Sequence, residues 1–251
     1  MKNIIKKILQ SGKNTNLELD EFTQRILCTV PGMLETGNLE SFEYVAKHLS
    51  SKKPVLEIGS FCGLSFILLR YFLDKNNKPN KIFTCDDWSY EGFFDKNPSG
   101  IQDGDLEAYM EIVGGNKNIR RENYVRFTKS QFKNNALFFS SHNMPASFHL
   151  SSNLFFSYWK EGSAMRDIFG NESRLGGPLS FVYIDGDHSY EQCRKDFQNA
   201  DIFLGHGGFL LLDDSADGGI FGSSQVAKEV EAHSDYELIM KNPNYLFKKV
   251  K

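Results

Sequence analysis

The sequence predicts an α/β fold: a doubly wound, mostly parallel sheet whose last strand runs antiparallel. Three observations predict it. Short apolar runs alternate with segments whose apolar residues recur at helical spacing. The runs are apolar throughout rather than alternating, as strands covered on both faces are. The last two runs are joined only by Asn242-Pro243-Asn244, too short for a helical crossover.

Residues 1–53 read as an N-terminal helical cap. Within it Asn38 is placed to cap a helix whose apolar residues are Leu39, Phe42, Val45 and Leu49. Residues 54–251 read as the core domain. Pro54-Val-Leu-Glu-Ile58 is a buried strand ending in Gly59, and Leu64, Ile67, Leu68, Tyr71 and Phe72 give the next helix its apolar face. Lys81-Ile-Phe-Thr-Cys85 is a second strand, ending in Asp86-Asp87-Trp88. The stretch from Asp86 to Asp185 exceeds the roughly 60 residues that two further strand–helix steps take at about 30 each. The surplus suggests an insertion at about 92–175, rich in aromatics such as Phe127, Phe132, Phe138 and Trp159, with one strand near Ala146 to Leu150. Part of it is expected to cover the active site. Leu179-Ser-Phe-Val-Tyr-Ile184 is a strand ending in Asp185, and Ser189 with Gln192 forms a capping-box pattern for the helix that follows. Phe209-Leu-Leu-Leu212 is a strand ending in Asp213-Asp214. A helix near Ser224 to Ser234 and strands near Tyr236 to Lys241 and Tyr245 to Val250 complete the chain.

Composition bounds the function. With 251 residues, 40% of them hydrophobic and 24% charged, the chain can bury a real core, which rules out wholesale disorder. A net charge of −3 argues against nucleic acid as the main partner, because phosphate binding needs a basic face. The longest apolar runs, Phe66 to Leu69 and Phe209 to Leu212, fall far short of a membrane span. The N-terminal MKNIIKKILQ lacks the apolar core of a secretory signal. Cys28, Cys62, Cys85 and Cys193 have no C-x-x-C spacing, so a zinc site or disulfide framework is not expected and a reducing cytoplasm is the default.

The strand ends carry the chemistry, since ligands of open parallel sheets bind beyond the carboxyl ends of the strands. Glu57-Ile-Gly-Ser-Phe-Cys-Gly63 places glycines between a strand and a helix. Its spacing is G-x-x-x-G, with Phe61 in the middle, which disfavours a phosphate cradle and suits a carboxylate or nucleoside; a plain tight turn is the alternative. Asp86 could take both hydroxyls of a ribose, and Trp88 could pack on an adenine face. Asp185-Gly-Asp-His188 and Asp213-Asp214 would bring carboxylates together, an arrangement that is costly unless a cation binds. All-oxygen donors favour Mg²⁺, Ca²⁺ or Mn²⁺ over zinc. Beside them His188 is a candidate base. Cys62 has no base beside it and reads as packing.

Together these four stretches resemble class I S-adenosylmethionine-dependent methyltransferases, over about residues 30–90 and 178–250. The closest resemblance is to the branch of metal-dependent sugar O-methyltransferases and, more remotely, to catechol-type O-methyltransferases. The resemblance implies a seven-stranded Rossmann-like methyltransferase sheet. It implies that Glu57, Gly59, Ser60, Phe61, Gly63 and Ser65 shape the cofactor pocket, that Asp86, Asp87, Trp88 and Asp185 border it, and that Asp86 holds the ribose. It also implies that Asp185, Asp213 and Asp214 ligate Mg²⁺, with His188 as base and Asp185 in the catalytic group. Catechol-type enzymes carry a lysine at the position of His188 and an asparagine at that of Asp214, so the sugar branch is favoured.

The expected activity is methyl transfer from S-adenosylmethionine to a hydroxyl of a small polar acceptor, a sugar or another vicinal diol. Aromatics of the insertion, if exposed, would suit a homodimer. Three alternatives stay open at this point: an NAD-dependent oxidoreductase, a metal-dependent hydrolase, and a non-catalytic cofactor-binding module.

Overall fold

Strands that are apolar on both faces need cover on both sides, and the chain supplies it with helices. The computed structural model describes residues 19–89 and 121–251. Residues 1–18 of the expected cap and 92–120 of the expected insertion lie outside the described residues.

Seven strands form one sheet. In chain order they are β1 (Val55–Ile58), β2 (Ile82–Asp86), β3 (Ala146–His149), β6 (Leu179–Ile184), β7 (Leu204–Leu212), β8 (Tyr236–Lys241) and β9 (Tyr245–Lys249). Their spatial order is β3-β2-β1-β6-β7-β9-β8. The pairs from β3 to β7 are parallel, and β9 runs antiparallel to both β7 and β8. The strand order reverses between β1 and β6, which opens a crevice at their carboxyl ends. A separate hairpin joins β4 (Ala164–Arg166) to β5 (Glu172–Arg174).

Successive strand residues face opposite sides. Val55, Phe181, Tyr183, Phe209 and Leu211 therefore pack on one face, against α1 (Glu21–Thr29), α2 (Gly37–His48), α3 (Leu64–Lys75) and α4 (Arg121–Phe139). Leu56, Val182, Ile184, Leu210 and Leu212 pack on the other, against α5 (Ser152–Glu161), α6 (Tyr190–Phe203) and α7 (Gly222–Glu231). A slip of one residue would exchange the two faces, and each large apolar side chain gains roughly 1.5–3 kcal/mol from burial, so the register is strongly fixed.

Several local expectations are corrected. Helix α2 begins at Gly37, so Asn38 lies inside it, fully buried, and does not cap it; Thr36 stands at the N-cap with no side-chain cap bond. Ser189 does cap α6, accepting from the Gln192 N–H at 3.4 Å, but the Gln192 side chain turns away to Asp196 and Ser152. The Ser189 N–H goes instead to Asp187 at 2.8 Å. Part of the region read as an insertion belongs to the sheet unit itself, since β3 extends the main sheet and Phe148, Phe155 and Trp159 are core residues. Phe127 and Phe138 on α4 are exposed, whereas Phe132 is buried. No helix among the described residues is long and apolar enough to cross a membrane.

Candidate active site

The glycine turn between β1 and α3 comes first. Gly59 has φ +84°, Phe61 φ +42° and Gly63 φ +91°. A Cβ on Gly59 would lie 1.8 Å from the Asp185 carbonyl oxygen, so only glycine lets the turn close on the end of β6. Phe61 holds a left-handed conformation that disfavours a side chain by roughly 1–2 kcal/mol. Asp86 supplies the restraint: its Oδ2 accepts from the backbone N–H of Ser60 and of Phe61, both at 2.8 Å.

That geometry corrects the reading of Asp86. Its Oδ1 also accepts from the Trp88 N–H at 2.6 Å, so three of a carboxylate's roughly four acceptor positions are used inside the protein. It cannot take two ribose hydroxyls as arranged; it pins the turn. Burial pushes its carboxyl up, against those three N–H groups. Asp87 is exposed, borders the cavity, and spends one oxygen on the Ser89 N–H at 2.9 Å. Trp88 is corrected too. It is 1% exposed, donates its indole N–H to the Phe61 carbonyl at 2.8 Å, and packs on Phe132 rather than on a bound base. Cys62 is buried, its thiol pushed up to about 12, in keeping with a packing role.

Above the turn lies a cavity of about 540 Å³ at the switch point. Gly59 to Phe61, Asp86 and Asp87 form one wall, Leu150 to Asn153 another, and Asp185 to His188 a third. Among the described residues no lysine or arginine lines it, while Asp86, Asp87, Asp185, Asp187, Asp196, Asp213 and Asp214 all do. Under the turn Glu57 is fully buried, with the Ser65 and Ser60 hydroxyls near its carboxylate. Burial pushes Glu57 up to about 8, against the pull of the nearby Ser65 hydroxyl. Gly63 stands at the start of α3, where a Cβ would press on Phe132 at 3.1 Å.

The second half of the site follows from strand register. Ile184 of β6 pairs with Leu212 of β7, so Asp185 and Asp213 emerge side by side. Donor atoms of Asp185, His188 and Asp213 lie within 4.8 Å of one another. Asp214 stands beyond them, its Oδ2 3.5 Å from His188 Nε2, while Asp185 Oδ1 is 3.8 Å from the same nitrogen. Asp185, His188 and Asp213 thus form a tight group, and Asp214 adjoins it beside His188. Burial and the neighbouring Asp213 push Asp185 well above the ordinary carboxylate range. Asp214 is raised as well, by burial and then by Asp213, with His188 pulling the other way.

Three residues here were not singled out for the site from sequence. Asn38 and Asn244 both donate to Asp213 Oδ1, the second at 2.7 Å, and Asn38 reaches Tyr183 OH at 3.2 Å. Asp196 is the other omission: it is buried against the cavity, its carboxyl pushed up to about 7. A buried acid on a helix otherwise read for its apolar spacing was the available signal.

A family model described as a methyltransferase domain matches residues 56–215, more than half of the chain. The chain belongs to that family. This methyltransferase is thereby an enzyme of the S-adenosylmethionine-dependent class, and the oxidoreductase, hydrolase and non-catalytic alternatives fall away. No curated protein matches its sequence. Solved structures share its fold. The O-methyltransferase NovP superposes with a TM-score of 0.53 at 15% identity, over 88% of this chain and 82% of NovP. The calicheamicin methyltransferase CalS11 gives 0.54 at 16% identity, over 98% and 90%. An O-methyltransferase from Bacillus cereus, solved in complex with SAH, gives 0.52 at 12% identity over the whole of both chains.

Proposed function

We propose that this methyltransferase moves a methyl group from S-adenosylmethionine to a hydroxyl of a small polar acceptor, a sugar or another vicinal diol. A divalent cation, Mg²⁺ by the character of the donors, assists at the β6 and β7 ends. The observation that carries the proposal is the meeting of the two carboxylate-bearing strand ends with the glycine-turn cavity.

The lining residues fit the cofactor. A wall of aspartates, with no lysine or arginine among the described residues, suits a ligand bearing sulfonium and ammonium charges and disfavours a pyrophosphate. The cavity volume is that of a small-molecule site. The donor set also fits a hard cation. Asp185 and Asp213 supply carboxylates from neighbouring strand ends, Asp214 stands next to them, and His188 borders the set as the base. Asp185 next to Asp213 is the like-charge arrangement that a cation relieves.

In the reaction the chain's own groups divide the work. Gly59 to Gly63 hold the donor's methionine end, with the turn fixed by Asp86, and the outward-facing Asp87 takes the ribose in its place. A divalent cation, when bound, lowers the pKa of an acceptor hydroxyl and fixes its orientation. His188, held between Asp185 and Asp214 and against the Phe221 ring, accepts the acceptor's proton. Leu150 to Asn153 and Phe221 narrow the cavity and limit water around the transferring methyl.

A sugar acceptor is supported by His188 and Asp214 standing where catechol-type enzymes differ. A neighbour of the same fold, CalS11, is described as a TDP-rhamnose 3′-O-methyltransferase. The test is turnover on a panel of nucleotide sugars and catechols, with and without EDTA, and for Asp213→Ala. Loss of turnover in both treatments and a preference for sugars supports the reading. Full turnover after both overturns the metal role, and a catechol preference overturns the acceptor class.

A further inference from the structure

Asn38 and Asn244 lie far apart in sequence and meet beneath Asp213. Both are fully buried, as is Tyr183, and none of the three borders the cavity. One Asn38 amide hydrogen goes to Asp213 Oδ1 and the other to Tyr183 OH at 3.2 Å. Asn38 Oδ1 accepts from Asn244 Nδ2 at 3.1 Å. The other hydrogen of Asn244 goes to Asp213 Oδ1 at 2.7 Å, and Asn244 Oδ1 accepts from the Ser215 N–H at 2.9 Å. Every polar atom of the two amides is engaged, so each has one workable orientation: flipping either would set an amide oxygen against the carboxylate.

The network reaches both carboxylates of the tight group. Two donors on Asp213 Oδ1 leave Oδ2 as the oxygen open to another partner. The Tyr183 hydroxyl, which accepts from Asn38, has its own proton left for the neighbouring Asp185. The frame around the amides is rigid. A Cβ on Gly37 would lie 1.6 Å from the Asn242 carbonyl oxygen, and Asn242 Nδ2 donates to Glu40 at 2.5 Å. The start of α2 is thus locked onto the β8–β9 turn, and Asn38 is delivered to Asp213 from outside the sheet.

We propose that Asn38, backed by Asn244 and Tyr183, is a positioning residue that sets the divalent-cation site by fixing which oxygens Asp213 and Asp185 present. This rests on the metal reading above. It gives the N-terminal helical segment a part in the chemistry: α2 orients the carboxylates that bind the cation, without touching cofactor or acceptor. Partners that orient metal ligands affect affinity by roughly 10–100-fold when removed.

The experiment titrates the full chain with Mn²⁺, reading the free ion by electron paramagnetic resonance, and titrates the same samples with S-adenosylhomocysteine by calorimetry. The variants are Asn38→Leu, Tyr183→Phe and Asp213→Ala. Asn38→Leu and Tyr183→Phe are expected to weaken Mn²⁺ by roughly 10-fold or more, with S-adenosylhomocysteine affinity unchanged, and Asp213→Ala to abolish Mn²⁺ binding. Should Asn38→Leu not fold, Tyr183→Phe decides alone. Wild-type Mn²⁺ affinity in the folded Asn38 and Tyr183 variants, with Asp213→Ala inactive in binding, overturns the positioning role and leaves the metal reading standing. Equal loss of both ligands assigns the network to packing and likewise overturns the role. Undiminished Mn²⁺ binding by Asp213→Ala overturns the metal reading and the positioning role with it.

Discussion

Glu57 offers a prediction whose size follows from the structure. Its carboxyl sits at about 8 in the folded chain against an ordinary 4.5, chiefly through burial. A raised carboxyl binds its proton more tightly in the folded state, so its contribution falls as pH rises above 4.5 and levels off beyond 8. The penalty is near zero at pH 4, about 3 kcal/mol at pH 7 and about 5 kcal/mol at pH 9. Glu57→Gln keeps the shape and removes the titration. Urea unfolding of both proteins at pH 5, 7 and 9 should show the variant gaining on the parent as pH rises, by a few kcal/mol across the range. The comparison cancels the titration of the other acids. A difference between variant and parent that is flat in pH would refute the reasoning, because a carboxyl left ionised under the turn carries no such slope.

Other outcomes follow from the same geometry. Gly59→Ala should weaken S-adenosylhomocysteine binding at least roughly tenfold in calorimetry, since its Cβ meets the Asp185 carbonyl at 1.8 Å and opens the turn. Asp86→Asn turns an N–H donor toward backbone N–H groups and should lower stability by roughly 2–3 kcal/mol in denaturant unfolding, with the largest loss of amide protection at Ser60 and Phe61. Trp88→Phe loses the bond to the Phe61 carbonyl and leaves a gap in the core, and should cost roughly 1–3 kcal/mol, while leaving cofactor affinity nearly intact if the ring takes no part in adenine binding. His188→Gln should lower kcat by roughly 10²-fold or more with the cofactor's affinity preserved.

The sheet and its active edge were readable because their signals are local. β2, β6 and β7 are runs of apolar residues that lead into acids, and parallel register alone then sets Asp185 beside Asp213. The glycine turn announces itself by Gly59 and Gly63, both at positive φ. What escaped depends on partners distant in sequence. Asn38 precedes an apolar-periodic segment and so carries an N-cap signature, yet the helix starts one residue earlier and the amide finds Asp213 in the core. Asn244 follows a proline and reads as a turn residue, while its side chain completes the same network. Of two adjacent acids at the end of β2, sequence does not say which faces inward; three backbone N–H groups decide that it is Asp86. The Trp88 indole is buried because its N–H finds a carbonyl in the turn.

The central claim is that cofactor and cation share one rim of the sheet. Its most direct test is nuclear relaxation of S-adenosylmethionine labelled with ¹³C at the methyl, bound to the enzyme and titrated with Mn²⁺. Steep paramagnetic enhancement of the methyl carbon that vanishes in Asp213→Ala is the predicted result. A methyl signal indifferent to Mn²⁺, with both ligands bound, would contradict the account.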